Sequence, residues 1–186
     1  MFSRIDYPAT HTIAATLLIV FALEYIYPAT FFTMTTPAPA PAWTIVTSML
    51  AHSSFIHLLS NLAILYMVGV PVEHHSSGRT MVAVFLVAGL IANLGVLILT
   101  TITTTTASFI GASGAISAIL GVYAYYYPTE RLFLLQTNRF VPLFIAVSIG
   151  IIVIYGVGAF GVAHSQHAIG ALTGVLTPRL FSFTRQ

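Results

Sequence analysis

The sequence predicts an all-α membrane protein, folded as a bundle of six transmembrane helices. Of its 186 residues, 58% are hydrophobic and only 5% are charged, and the mean hydropathy is +0.96. Soluble domains carry about 25% charged residues, so lipid must surround most of this chain. Its apolar runs approach the roughly 20 residues of a membrane-spanning helix and exceed the roughly 10 of a barrel strand.

Composition also narrows the classes of function. Without cysteine, the chain has no disulfide framework, thiol nucleophile or thiolate metal site. A net charge of +2, scattered along the chain, does not indicate nucleic-acid binding. The threonine-rich run shows no phosphate-binding pattern, and no cofactor is expected. No cleavable signal is apparent, so residues 1–186 are expected to form one membrane domain.

The first three apolar runs are bounded by connections of different composition. The first, at about 12–28, ends where a Pro- and Thr-rich stretch begins. The second, at about 55–72, ends at the polar turn from Glu73 to Arg79. The third, at about 80–100, ends in a cluster of threonines at 100–106. Each run is therefore predicted to be a separate helix.

The last three runs are bounded in the same way. The fourth, at about 113–127, ends at Pro128, and a connection with two arginines follows it. The fifth, at about 140–156, ends at a Gly-rich link over 156–161, and the sixth occupies about 164–181. These runs complete the six predicted helices.

The arginines predict the orientation of the bundle. Basic residues occur before the first segment, in alternate connections and after the last segment. They are Arg4, Arg79, Arg131, Arg139, Arg179 and Arg185. The other three connections contain no basic residue. Positive charge is retained on the cytoplasmic side of membranes. Both termini are therefore predicted to lie in the cytoplasm.

This orientation places three polar clusters at one depth. Segments two, four and six all run from outside to inside, and each opens with polar residues: His52, His57 and Asn61; Ser113; His164 and His167. Polar groups in membrane helices are costly and usually face the bundle interior or a cavity. Segment four is also short, roughly 22 Å against a core of about 30 Å. Ser113 is therefore expected at the floor of a depression that opens to the outer side.

These clusters can supply nucleophilic catalysis. A serine hydroxyl needs a general base, and histidine titrates near working pH. His57 and Asn61, four residues apart on one helix face, can donate hydrogen bonds to an oxyanion, as can the backbone N–H of Ser113 at a helix start. Asp6, Glu73 and Glu130 are predicted on the inner side, and no motif links Glu24 to the site. A Ser113–His167 dyad without a carboxylate is the prediction.

Small residues support this pairing. Gly170 and Gly174 follow His167 in segment six, and Gly114, Ala118 and Gly121 follow Ser113 in segment four. Small residues at such spacing let two membrane helices approach closely. The two segments are therefore expected to pack against each other, with Gly114 and Gly170 supporting the site.

Together these residues resemble the rhomboid family of intramembrane serine proteases, in its minimal six-helix prokaryotic form. The resemblance covers nearly the whole chain and rests on three motifs: Gly111-Ala112-Ser113-Gly114; His167 with Gly170 and Gly174; and Trp43 to His52 (WTIVTSMLAH) leading into His57 to Asn61 (HLLSN).

The resemblance implies a role for each of these residues. Ser113 would be the nucleophile, His167 the general base, and His57 and Asn61 the oxyanion-hole side chains beside the Ser113 N–H. His52 would be structural or would organise water. The implied substrates are single-pass membrane proteins in the lipid bilayer, cut near the outer end of their helix, without metal or nucleic acid. The implied location is the cell membrane, with the active site open to the extracytoplasmic side.

The chain also departs from the family pattern. Family members often carry an aromatic residue four positions after the nucleophile, where it stacks on the base, and Ser117 occupies that position here. Trp43 is followed by Thr44, so the Trp-Arg pair of some first loops is absent. What orients His167 is therefore not predicted by the resemblance.

Three alternatives stay open at the level of sequence. A metal site would need His52, His57, His164 and His167 to converge, but no acidic partner or H-E-x-x-H pattern accompanies them. A rhomboid-like protein that binds transmembrane helices without cleaving them would not require both Ser113 and His167. A small transporter or channel would be expected to carry paired intramembrane charges or helix breaks near mid-bilayer, which this chain lacks.

Overall fold

The computed structural model describes residues 7–36, 41–156 and 159–180, which are mainly helical. Arg4, Asp6 and Arg185, which entered the predicted topology, lie outside these ranges. The helices are α1 Pro8–Leu23, α2 Thr44–Thr47, α3 Phe55–His75, α4 Gly78–Ala83, α5 Gly89–Ile102, α6 Ser113–Tyr126, α7 Thr137–Tyr155 and α8 Ala159–Leu180. A π-helical turn, Val84–Ala88, joins α4 to α5, so the two form one continuous helix.

Each of the six predicted apolar runs corresponds to a long helix, although several boundaries differ. The first helix begins and ends four to five residues earlier than 12–28, because Pro8 occupies its first turn, where a missing N–H costs nothing. Helix α3 continues through Glu73 to His75, which shortens the predicted polar turn. Helix α8 begins at Ala159, so the Gly-rich link is also shorter than predicted.

Among the residues that the structure describes, three helices are long and apolar enough to cross a bilayer. They are α3, the continuous helix Gly78–Ile102, and α7 over Thr137–Ile154. Helix α1 is apolar but has only 16 residues. Helix α6 has 14 residues, roughly 21 Å, so it is shorter than the apolar core of a bilayer. A six-span topology therefore remains a prediction from the sequence.

Two small sheets qualify the all-α prediction. Strand β1, Met34–Thr36, pairs antiparallel with β2, Ala107–Phe109, and Met34 lies opposite Phe109. Strands β3 and β4, Arg131–Leu132 and Leu135–Gln136, form a hairpin before α7. The β1–β2 pair ties the first long loop to the segment that leads into Ser113, and it thereby fixes the approach to α6.

Helix α6 is the central element of the core. All residues from Gly114 to Tyr123 are buried, and α8 makes the most extensive contact with it. A Cβ at Gly170 would overlap the backbone of Gly114, and one at Gly174 would overlap that of Ala118. The close approach that the small residues predict is thus present, because backbone meets backbone along this crossing.

A buried carboxylate joins α3 to the start of α1. Glu73 accepts hydrogen bonds from the backbone N–H groups of Ala9 and Thr10, both at 2.8 Å, and from the Thr10 hydroxyl at 2.7 Å. The first N–H groups of a helix have no partner within the helix, so this carboxylate satisfies two of them. Glu73 therefore has a structural role at the end of the bundle opposite Ser113.

Candidate active site

Ser113 and His167 meet where α6 begins. Ser113 is the first residue of α6, and its Oγ lies 2.8 Å from Nε2 of His167 on α8. This separation is that of an O–H···N hydrogen bond. The glycine crossing of α6 and α8 brings the two helices close enough for these short side chains to touch. The structure therefore brings together the nucleophile and base that the sequence predicts.

Gly111 allows a third side chain to approach this pair. Its φ is +139°, in a region that L-residues with a Cβ rarely adopt. A Cβ at this position would lie 2.8 Å from Cε1 and 3.0 Å from Nε2 of His57, and 3.8 Å from Oγ of Ser113. Only glycine therefore leaves room for the His57 ring beside the Ser113 hydroxyl.

His57 and Asn61 lie on the first two turns of α3. Ser54 caps this helix, because its hydroxyl accepts a hydrogen bond from the His57 N–H at 3.2 Å. Ser53 Oγ lies 3.2 Å from Nδ1 of His57, which leaves Nε2 directed at Gly111. The buried Asn61 amide donates to the His57 carbonyl oxygen at 3.1 Å, so one of its two N–H groups is engaged within its own helix.

His52 lies behind His57 in the loop before α3. Its side chain is only 2% exposed, and its ring centroid is 5.0 Å from that of His57, in an edge-to-face arrangement. Neither of its ring nitrogens has a hydrogen-bond partner within the described parts of the chain. Burial, together with the nearby His57, lowers the pKa of His52 to about 4. A neutral His52 ring is the form that this environment favours.

The carboxylates of the described residues are engaged elsewhere or exposed. Glu24, which no motif linked to the site, accepts from the backbone N–H of His52 at 3.0 and 3.1 Å. Glu73 caps α1, and Glu130 is exposed in the connection before α7. Asp6 lies outside the described residues. The geometry is thus that of a serine–histidine pair, with Glu24 fixing the loop that carries His52.

An aromatic residue from another helix contacts the ring of His167. Ser117, at the position where the family often has an aromatic residue, is buried within α6. Phe144 of α7 lies with its ring centroid 6.0 Å from that of His167, at an interplanar angle of 27°. His164 meets the same ring edge-on at 5.9 Å. No sequence pattern indicates a role for Phe144, since this contact depends on how α7 packs on α8.

The four histidines do not converge as a metal site requires. They form two ring pairs, His52 with His57 and His164 with His167. Over residues 7–36, 41–156 and 159–180, no group of three or more His, Asp or Glu side chains is arranged to hold a metal ion. A zinc site usually needs at least three protein ligands, so this geometry gives the metal alternative no support.

Comparison with known proteins agrees with this architecture. The Rhomboid domain model matches residues 39–183, a stretch that covers well over half of the chain and includes every residue of the site. No curated protein matches the chain. Together with the three long apolar helices, the match identifies a multi-pass membrane protein. The chain therefore belongs to the rhomboid family.

Proposed function

We propose that this protein is an intramembrane serine endopeptidase that cleaves the transmembrane segments of membrane-protein substrates. The observation that carries the proposal is the 2.8 Å separation of Ser113 Oγ and His167 Nε2 at the start of a buried helix. Membership of the rhomboid family supports it, because the family consists generally of intramembrane serine proteases.

The proposed reaction proceeds through an acyl-enzyme. His167 Nε2 takes the hydroxyl proton of Ser113 while Oγ attacks the scissile carbonyl carbon, which gives a tetrahedral oxyanion. The protonated imidazole then gives its proton to the leaving amine, and the peptide bond breaks. A water molecule, deprotonated by His167, attacks the resulting ester and releases the second product. Serine and histidine return to their starting states.

The oxyanion is proposed to lie between α3 and the start of α6. The Ser113 backbone N–H, which is free of an intrahelical partner, is one proposed donor. His57 Nε2, beside Gly111, and the second N–H of the Asn61 amide are the others. Donors held in place before charge develops are worth more than donors that must reorient, and they are strongest where water is excluded.

The proposed setting follows from the arginine pattern of the sequence. Six membrane spans with both termini in the cytoplasm would place Ser113 toward the extracytoplasmic side of the cell membrane. A site sunk below the outer surface would receive the end of a substrate's transmembrane helix. Single-pass membrane proteins are therefore the proposed substrates.

The test is cleavage of a model transmembrane substrate by purified protein in detergent. Wild-type protein should cleave it and should react with a serine-directed fluorophosphonate, whereas Ser113→Ala and His167→Ala should each abolish cleavage. Cleavage by Ser113→Ala, or labelling of that variant, would contradict the dyad. A wild-type protein that binds the substrate without cutting it would instead support a catalytically silent member of the family.

A further inference from the structure

The residue next to the general base forms an unusual buried contact. Gln166 immediately precedes His167, and its side chain is 4% exposed. Its amide Nε2 donates to Oδ1 of Asn93 at 2.6 Å, and Asn93, on α5, is fully buried. This hydrogen bond joins the helix of the base to a helix that carries none of the proposed catalytic residues.

Asn93 extends this contact toward the nucleophile. Its amide Nδ2 donates to the Ile45 carbonyl at 2.7 Å and to the Ser48 hydroxyl at 3.1 Å. The carbonyl oxygen of Ser48 accepts from the Gly111 N–H at 2.7 Å. Gly111 is two residues before Ser113. The Gln166 network, defined as Gln166, Asn93 and Ser48, thus connects the two ends of the dyad by a second route.

The network closes a ring through the dyad. From Ser113 the path crosses to His167, passes along the chain to Gln166, and returns through Asn93, Ser48 and Gly111. Every hydrogen bond on the return path involves buried groups, and an unpaired buried amide costs free energy. Sliding or rotation of α8 would break the Gln166–Asn93 bond, so the network opposes those movements.

Gly114 provides the space that this arrangement requires. A Cβ at Gly114 would lie 2.7 Å from Cγ of Gln166 and 3.1 Å from its Cδ. The Gln166 side chain therefore crosses directly over the residue after the nucleophile on its way to Asn93. Its neighbour Ser165 behaves differently, since its hydroxyl donates to the Gly161 carbonyl at 2.6 Å, within α8 itself.

We propose that Gln166 and Asn93 are positioning residues, which hold the His167 imidazole at the depth and rotation at which it meets Ser113. They act through the backbone of α8 and through Ser48 rather than on the substrate. This inference rests on the proposed protease function, because it concerns the geometry of that same dyad.

The experiment compares four variants with the wild type in detergent: Gln166→Leu, Asn93→Leu, the double variant and Ser165→Ala. For each, kcat and KM are measured on the model transmembrane substrate, together with the rate of Ser113 labelling by the fluorophosphonate and the unfolding temperature. Ser165→Ala is the matched control, because it removes a buried hydroxyl one residue away without touching the network.

The expected result separates positioning from stability. Each single leucine variant should lower kcat and the labelling rate by about tenfold or more, with KM within about twofold of wild type. The double variant leaves no orphaned partner between the two side chains, so its unfolding temperature should recover toward wild type while kcat stays low. Ser165→Ala should retain wild-type kcat.

Two results would overturn the inference while leaving the protease proposal intact. The first is a wild-type protein that cleaves and labels, with Gln166→Leu as fast as wild type. The second is a double variant in which kcat recovers together with stability, as expected of a purely structural bond. A wild-type protein that neither cleaves nor labels would instead overturn the proposed function, and the inference with it.

Discussion

The two ends of this bundle both contain buried polar groups, but they satisfy them differently. At the end opposite Ser113, Glu73 accepts three hydrogen bonds from α1. At the same end, the Tyr127 hydroxyl lies 2.6 Å from Nδ1 of His75. At the Ser113 end, within the described residues, both ring nitrogens of His52 and Nδ1 of His164 are buried without a partner. The Glu73 carboxylate at the first end is thus engaged, whereas these histidine nitrogens at the second end are not.

This difference separates stability from chemistry. A buried polar group that finds all its partners stabilises one arrangement, and it leaves no capacity for binding. Buried groups without partners cost free energy, and native structures retain few of them. The nitrogens of His52 and His164 that lack a partner among the described residues lie beside His57 and His167, where the proposed function requires room for a substrate's peptide group. Substitutions at the two ends should consequently change different measured quantities.

The largest expected effect is that of Ser113→Ala, at the end of the bundle that holds the proposed dyad. Loss of the proposed nucleophile should lower kcat by about 10⁴-fold or more, the loss seen in serine hydrolases when a residue acting as part of a catalytic unit is removed. The free energy of unfolding should change little, because Ser113 is half-buried and, among the residues that the structure describes, its hydroxyl bonds only to His167. Substrate cleavage and thermal unfolding in detergent measure the two quantities. A large loss of stability would mean that the Ser113–His167 bond is mainly structural.

Glu73→Ala tests the end opposite Ser113, and its effect should fall on stability instead. Removing the carboxylate orphans two backbone N–H groups and one hydroxyl, which should cost about 3 kcal/mol of the free energy of unfolding. Turnover per folded molecule should be unchanged. Glu130→Ala is the matched control, since Glu130 is an exposed carboxylate in the connection after α6. Equal stability of the two variants would contradict the structural role of Glu73.

Asn61→Ala sharpens the comparison, because the Asn61 side chain has both a structural contact and a proposed catalytic role. Its amide bonds to the His57 carbonyl, which is a structural contact, and its second N–H is the proposed oxyanion donor. We expect kcat to fall by about 100-fold, the typical cost of losing one such donor, with KM nearly unchanged. Steady-state kinetics on the model substrate provide both parameters. Wild-type kcat in Asn61→Ala would remove this residue from the oxyanion hole.

The parts of the site that could be predicted from the sequence were those fixed by the order and depth of the helices. The sequence predicts that Ser113 and His167 open two segments that run in the same direction, so their meeting required only that α6 and α8 be neighbours. In the structure α8 begins earlier, at Ala159. The glycines at 114, 170 and 174 indicate that these two helices are neighbours. Helix existence was also predictable, because long apolar runs leave few alternatives in lipid.

The remaining features depend on packing that no periodicity encodes. No sequence pattern indicates the contact between Asn93 and Gln166, because it links positions 73 residues apart on different helices. The β1–β2 pair comprises two three-residue strands within loops, too short for a period-2 pattern to be recognised. The sequence predicts Glu73 in a turn, whereas it lies in the last turn of α3, where it accepts a hydrogen bond from α1.

The smallest expected effect belongs to Phe144, whose ring lies against the base from α7. The stacked geometry, with 6.0 Å between centroids, is that of an aromatic contact worth about 1 kcal/mol beyond the area it buries. Phe144→Leu should therefore lower kcat by about fivefold. Phe144→Tyr, which keeps an aromatic ring, should restore most of it.

Phe140→Leu is the matched control for this contact. Phe140 is one turn earlier on α7 and stacks on Phe144 at 6.3 Å, whereas it is the Phe144 ring that stacks on His167. Its replacement should perturb the packing of α7 without loosening the base, so kcat should stay near wild type. An equal loss of activity in Phe140→Leu would show that α7 as a whole, and not the Phe144 ring, supports His167. A selective loss in Phe144→Leu would show that an aromatic residue on a neighbouring helix compensates for the serine at position 117.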